Sequence, residues 1–429
     1  MAESVIKSYF PSQVVSDAEK LSYDYGLKVA KAIETEWFYD DRRHTRYEAN
    51  FNDFHQLRLY ARGEQSVQKY KDELSINGDL SYLNLDWTPV PIIPKFVDIV
   101  VNGIAERAYD VKAYSQDPYG VAKRTEYMES VLGDMATKEM NDFAAQEFGI
   151  NLYQNDPEKL PETQEELELH MQLTYKQAVE IAEEQAINVL LEGNNYDLIK
   201  KRLYNDITVL GIAAVKTNFT TSEGVVIDYV DPADLVYSYT ESPYFDDIYY
   251  VGEVKTIPIN ELAKQFPHLT QSDLEEIQQT GYTQRSNYNN SGPRYEDTDK
   301  NKVQVLYFNY KTYMNEVYKV KETGSGAMKA IQKDDGFDPP ADAQGNFSKL
   351  ERAIETLYEG ALILGTSKLL KWEMSENMMR PKSNFTKVKM NYSIVAPHMY
   401  KGKIQSLVKR ITGFADMIQL THLKLQQVL

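Results

Sequence analysis

The chain of 429 residues contains no cysteine. That removes disulfides, thiolate nucleophiles and thiolate zinc sites in one step. Histidine is scarce too: the six (His44, His55, His170, His268, His398 and His422) show no His-x-x-x-His spacing. Their pattern builds no imidazole metal centre. No window approaches eighteen uncharged apolar residues, so no segment reads as a membrane-spanning helix. The start, Met1-Ala-Glu-Ser-Val-Ile-Lys-Ser-Tyr-Phe10, lacks the basic end and apolar run of a signal peptide. A cytoplasmic site of synthesis is expected.

Catalytic signatures are missing as well. Gly324-Ser-Gly-Ala-Met-Lys329 and Gly365-Thr-Ser-Lys368 lack the Gly-x4-Gly-Lys-Ser/Thr spacing that wraps backbone N–H groups around a triphosphate. Asp40-Asp41, Asp246-Asp247 and Asp334-Asp335 invite a metal reading. Adjacent residues on a strand point to opposite faces, and a divalent cation needs further oxygens. The expectation is no enzyme, no metal and no cofactor.

Positive charge is short overall: 47 Lys and Arg stand against 64 Asp and Glu, a net charge of −17. A protein that grips DNA over its whole surface should be basic. This one repels DNA except at a local patch. Hydrophobic residues make up 42%, enough for a real core. Tyrosine is in excess, 32 against 15 Phe, which suits half-buried protein–protein surfaces.

The pattern of apolar residues predicts a mixed α+β chain, mainly long helices with small β-hairpin regions. Helices are expected over 17–37 and 45–61; the arginines Arg42, Arg43, Arg46, Arg58 and Arg62 form a solvated or inter-subunit face of the second. Three prolines make 86–94 an extended connector. A helix over 95–107 follows, with Phe96, Ile99, Val100, Ile104 and Ala105 as its buried stripe. Further helices are expected over 121–147 and 162–191. The second keeps Leu167, Met171, Tyr175, Val179, Ala182, Ala186 and Leu190 on a buried face and is strongly acidic. Later, strands are expected over 303–310 and 313–320 as a hairpin, and over 357–364 and 369–373. Residues 324–346, with few apolar groups, read as an exposed loop.

The stretch that organises the chain runs from Asp197 to Pro267. Leu198, Leu203, Ile207 and Leu210 lie on one helix face, and Gly211 ends it. A β-branched run from Ile212, a Ser222-Glu223-Gly224 turn and Val225–Val230 make a hairpin, which Asp231-Pro232 stops. Tyr249-Tyr-Val-Gly-Glu253 and Ile259-Asn-Glu-Leu-Ala-Lys-Gln-Phe-Pro267 come next. In this order the segments resemble the portal proteins of tailed bacteriophages, those of the crAss-like gut phages among them. Val90-Pro-Ile-Ile-Pro94-Lys-Phe-Val97 partly matches a further proline step of that family, and 397–427 resembles its channel-side segment.

Charge inverts at the end of the chain. From Arg380 to Leu429 nine Lys or Arg residues accompany one acid, Asp416, a net of +8. Residues 400–429 are expected as one amphipathic helix whose apolar set includes Ile404, Val408, Ile411, Phe414, Ala415, Ile418, Leu423 and Leu425. Lys401, Lys403, Lys409, Arg410 and Lys424 are its candidate site residues. They face DNA phosphates in a channel, or they pair with the acidic Glu162–Glu184 helix of a neighbouring subunit.

The resemblance implies a portal-like, ring-forming subunit without enzymatic activity, a conduit for DNA packaging and ejection at a capsid vertex. It implies a helical wing with an α/β element over 1–240 and a stem-like connection over 241–299. A clip-like β-rich region with a flexible loop at 322–347 follows over 300–380, and a basic stem or channel helix over 381–429, with the family's crown absent. The implied partners are eleven further copies in a dodecameric ring, double-stranded DNA, the major capsid protein, the terminase motor and a head-tail adaptor, with no membrane. The implied location is the virion, after assembly in the host cytoplasm. The alternatives are a metal-dependent nucleic-acid-processing enzyme and a non-portal virion scaffold protein.

Overall fold

The structure is a computed structural model. It describes residues 9–39, 45–75, 85–105, 111–115, 117–173, 175–220, 224–288, 302–322, 328–334, 336–338 and 347–428. Asp40-Asp41, Arg42, Arg43, Ser222-Glu223, Asp335 and most of the 324–346 loop lie outside the described residues. The chain is mixed α+β, 48% helical and 24% strand. By compactness it divides into two units, residues 1–106 with 199–429, and residues 107–198.

In the larger unit, α1 (Asp17–Lys20) and α2 (Tyr23–Phe38) start where the Ser16 and Ser22 hydroxyls accept from the Glu19 and Tyr25 amides. α3 (Arg46–Arg62) opens with a reciprocal capping box between Thr45 and Glu48 and closes at left-handed Gly63. α4 (Gln68–Leu74) and, after the proline connector, α5 (Ile92–Ala105) follow.

The smaller unit holds α6 (Pro118–Ala136), α7 (Lys138–Phe148), α8 (Gln164–Leu173) and α9 (Ala178–Gly193). Each of the two long helices expected here is therefore two. Thr137 breaks the first: its hydroxyl bonds back to the Gly133 carbonyl at 2.8 Å and its backbone leaves helical geometry. Gln177 breaks the second, with extended backbone and its N–H given to the Glu180 carboxylate. Val131 and Leu167 are the fully buried aliphatic side chains among the unit's described residues. Polar anchors do much of the stitching. Buried Asp134 accepts from the Gln154 and Asn155 amides, and buried Glu180 from the Ser115 amide and Arg124.

Back in the larger unit, α10 (Tyr196–Val209) runs to Gly211, as expected. β1 (Ala213–Thr220) and β2 (Gly224–Val230) form the expected antiparallel hairpin, Ala214 opposite Val230. β3 (Leu235–Tyr237), β4 (Tyr250–Pro258), α11 (Ile259–Gln265) and α12 (Gln271–Tyr288) follow. The strands β5 (Lys302–Glu322), β6 (Met328–Lys333), β7 (Phe347–Ile363) and β8 (Leu369–Met374) come next. The chain then makes β9 (Tyr392–Val395), β10 (Met399–Tyr400), β11 (Lys403–Ile404) and α13 (Leu407–Val428).

The small hairpins expected for the β-region are instead one antiparallel sheet in the order β3-β4-β5-β7-β8, with β6 paired to the far end of β5. Residues 303–320 form no hairpin. Lys311-Thr312 contains none of the turn-forming residues a reversal needs, and the strand continues through them to pair with β7. Odd and even positions of β5 feed separate cores. Leu306, Phe308 and Tyr310 pack with α2, while Val303 and Val305 pack with α11 and α12. Part of the tyrosine excess lies inside: Tyr250, Tyr310, Tyr358 and Tyr392 are all at most 5% exposed.

Candidate subunit and nucleic-acid interface

The basic carboxy-terminal segment is anchored by a third core. Phe54 and Leu57 of α3, Ile93 and Val97 of α5, Val209 of α10, Ile394 of β9, and Val408 and Ala415 of α13 share it. β9 extends the β1–β2 hairpin on its other edge, in the order β2-β1-β9. Gly211 makes the approach possible: with φ at 82°, a Cβ there would lie 2.8 Å from the Gln405 carbonyl oxygen. The end of α10 thus sits against the backbone just before α13.

Lys401 and Lys403 are not on the expected helix. They belong to a tight hairpin, β10–β11, whose turn residues Lys401 and Gly402 have φ of 48° and 70°. Two positive φ values in succession are what a type I′ hairpin turn requires. Lys401 lies 5.6 Å from the centre of the Tyr400 ring, and both lysines are exposed. The helix begins at Leu407, seven residues later than the start at 400 that the sequence predicts, because Ser406 caps it: its hydroxyl accepts from the Lys409 amide at 2.9 Å.

Lys409 pairs with Asp53 of α3 at 2.6 Å, so it is engaged inside the subunit. With Lys403, His398 and Asn50 it lines an open cleft of about 480 Å³. Arg410 lies in the first turn of α13 and Lys424 in its last part, both exposed. The five candidates therefore split: Lys403 and Lys409 share the cleft, Lys401 caps its hairpin, and Arg410 and Lys424 stand on the outer helix face.

Asp416, the one acid of this segment, is taken up internally. It accepts from Tyr60 at 2.8 Å, from Tyr70 at 2.7 Å and from Lys69 at 2.5 Å. Gln419, 1% exposed, accepts from the Val90 amide at 2.8 Å and donates to the Thr88 carbonyl at 3.3 Å. It holds the proline connector, whose prolines supply no N–H of their own.

Two of the expected arginine contacts with solvent or a neighbour are internal. Arg46 stacks on the Trp37 ring at 4.1 Å and pairs with Glu36 at 2.6 Å. Arg58 pairs with Asp231 at 2.7 Å and stands 3.9 Å from Asp206. Burial pushes the carboxyls of Asp206 and Asp234 up to about 6. Asp247 accepts from Thr240 and is no strand residue. Among the described residues, no three His, Cys, Asp or Glu side chains gather as metal ligands, and no helix is long and apolar enough to cross a membrane.

The apolar stripes carry the main surprise. On α5 the buried residues are Ile93 and Val97, whereas Phe96 is 52% and Ile99 58% exposed. On α9 Val179 is 57% exposed, and Ala182 and Ala186 are exposed with it. On α13 Phe414 is 65% and Leu425 59% exposed. Each periodicity was real, but these side chains face outward. No protein-family model matches the chain, and no curated protein matches it.

Proposed function

We propose that this chain is the subunit of a portal-like ring, a structural conduit for double-stranded DNA at a capsid vertex. The reading rests chiefly on one series. α10, Gly211, the β1–β2 hairpin, Asp231-Pro232, β4, and α11 with Phe266-Pro267 follow one another as in the family the sequence resembles. The chemistry agrees with it. A conduit must not hold DNA tightly, and a subunit of net charge −17 with one local basic segment repels phosphate broadly while guiding it weakly. Three helices with outward apolar faces suit a protein completed by neighbours. The sheet arm made by the far ends of β5 and β7 is the part that would serve as the clip. The capsid protein, a terminase motor and a tail adaptor are the partners such a ring would meet.

Light scattering and negative-stain microscopy of the purified chain test this. Rings of about twelve copies around an open centre are expected. A compact monomer or dimer with divalent-cation-dependent nuclease activity overturns the reading.

A further inference from the structure

α13 presents two different faces. Val408, Ala415, Gln419 and Leu423 point inward. The opposite side carries Arg410, Phe414, Met417, Thr421, Lys424 and Val428, separated by four, three, four, three and four residues. That is the spacing at which one helix meets another along its length. Phe414, Met417 and Val428 are 65%, 56% and 85% exposed. Arg410 and Lys424 stand on the same line, and neither has an ion-pair partner among the described residues.

In the smaller unit, α9 offers the counterpart. Its inward side is set by buried Glu180. Its outward side carries Val179, Ala182, Ala186, Val189 and Gly193, separated by three, four, three and four residues, with Glu183 at the edge. One helix presents bulky side chains and the other small ones, so knobs of the first have room between residues of the second. The charges also match. Residues 107–198 carry seven Lys or Arg against nineteen Asp or Glu, a net of −12, whereas residues 380–429 carry +8.

We propose that the outward face of α13 packs on the outward face of α9 in a second copy of this chain. Phe414, Met417 and Ile418 sit over Ala182 and Ala186, and Arg410 and Lys424 meet the acidic side chains around them. This rests on the reading of the protein as a ring subunit. A contact between two unlike surfaces repeats from copy to copy and closes into a ring where its rotation allows, whereas a face that pairs with itself stops at a dimer. Self-pairing of α13 is disfavoured by charge, since it sets one basic segment against another.

The absence of cysteine makes the test direct. Full-length Ile418→Cys and Ala186→Cys proteins are mixed and oxidised under non-denaturing conditions; both positions are exposed, so neither change disturbs the fold. A disulfide-linked species of twice the chain mass is expected from the mixture, and at most about a tenth as much from either variant alone. Reversal of both charges, Arg410→Glu with Lys424→Glu, is expected to weaken self-association about tenfold. Three results overturn the contact: Ile418→Cys linking to itself as readily as to Ala186→Cys, a doubly substituted chain closing only at monomer mass, or no link at all. Microscopy of the same samples separates the two readings. Rings without the cross-link overturn this contact and leave the ring; a cross-linked ladder without rings sustains the contact and overturns the closed ring.

Discussion

Tyr229 on β2 donates a 2.5 Å hydrogen bond to the buried Asp206 carboxylate on α10. Arg58, Asp231 and Asp234 complete the group, and Tyr47 donates to Asp234 at 2.8 Å. Two guanidinium groups, those of Arg58 and Arg202, act on Asp206, and together they do not outweigh its burial. Burial therefore dominates, and both Asp206 and Asp234 titrate near 6 instead of 3.8.

The pH dependence follows from the direction of that shift. A carboxyl whose folded pKa lies above its unfolded value favours folding when protonated. Its contribution is fully present below about 4 and is lost as pH rises through 6. We expect Asp206→Asn to flatten the stability profile between those limits, by about 1–3 kcal/mol. Urea midpoints at several pH values check it; parallel profiles for the two proteins would refute it.

Glu180 is the pin of the smaller unit. Its carboxylate is 1% exposed and takes bonds from the Ser115 and Gln177 amides and from Arg124. Glu180→Ala leaves the Arg124 charge partly buried without its partner, which costs about 3–5 kcal/mol. Hydrogen exchange should quicken across 111–193 while β5 and β7 stay protected.

Gly211→Ala meets two obstacles. The residue has φ of 82°, and the added Cβ lies 2.8 Å from the Gln405 oxygen, which is backbone and cannot swing away. The left-handed conformation alone costs about 1–2 kcal/mol. A loss of at least about 2 kcal/mol in denaturant unfolding is expected, together with loosened protection at 403–410.

The Lys409–Asp53 pair is short, yet both side chains are more than 40% exposed. A double-mutant cycle with Lys409→Ala and Asp53→Ala should give a coupling below about 1 kcal/mol. A larger value would mean the cleft beside it is drier than its exposure indicates.

Local signals were the most legible part of this fold. Thr45 with Glu48, Gly63 and Gly211 mark helix ends by chemistry confined to a few residues, and Asp231-Pro232 ends β2 likewise. Lys401-Gly402 carried a turn signal that helical periodicity around it concealed. The 311–312 continuation of β5 depends on β7, whose partners Leu357 and Thr356 lie 46 and 44 residues further on. Arg58 found its partners across 148 and 173 positions, a relation no local spacing encodes. The stripes of α5 and α9 are apolar as expected but not internal, whereas α13 buries Val408, Ala415 and Leu423 of its apolar set and leaves Phe414 and Leu425 outside. Periodicity reports that a face is apolar; it does not report which molecule covers it.

The ladder between β5 and β7 runs from Val305–Ile363 to Lys321–Phe347. Near its far end, residues 348 and 350–353 are exposed and β6 is exposed throughout. An antiparallel ribbon of this kind responds to force by direction. Tension along its strands loads many rungs at once, whereas a sideways pull at the tip opens them singly. The arm is expected to resist traction along its strands better than a sideways pull at its tip.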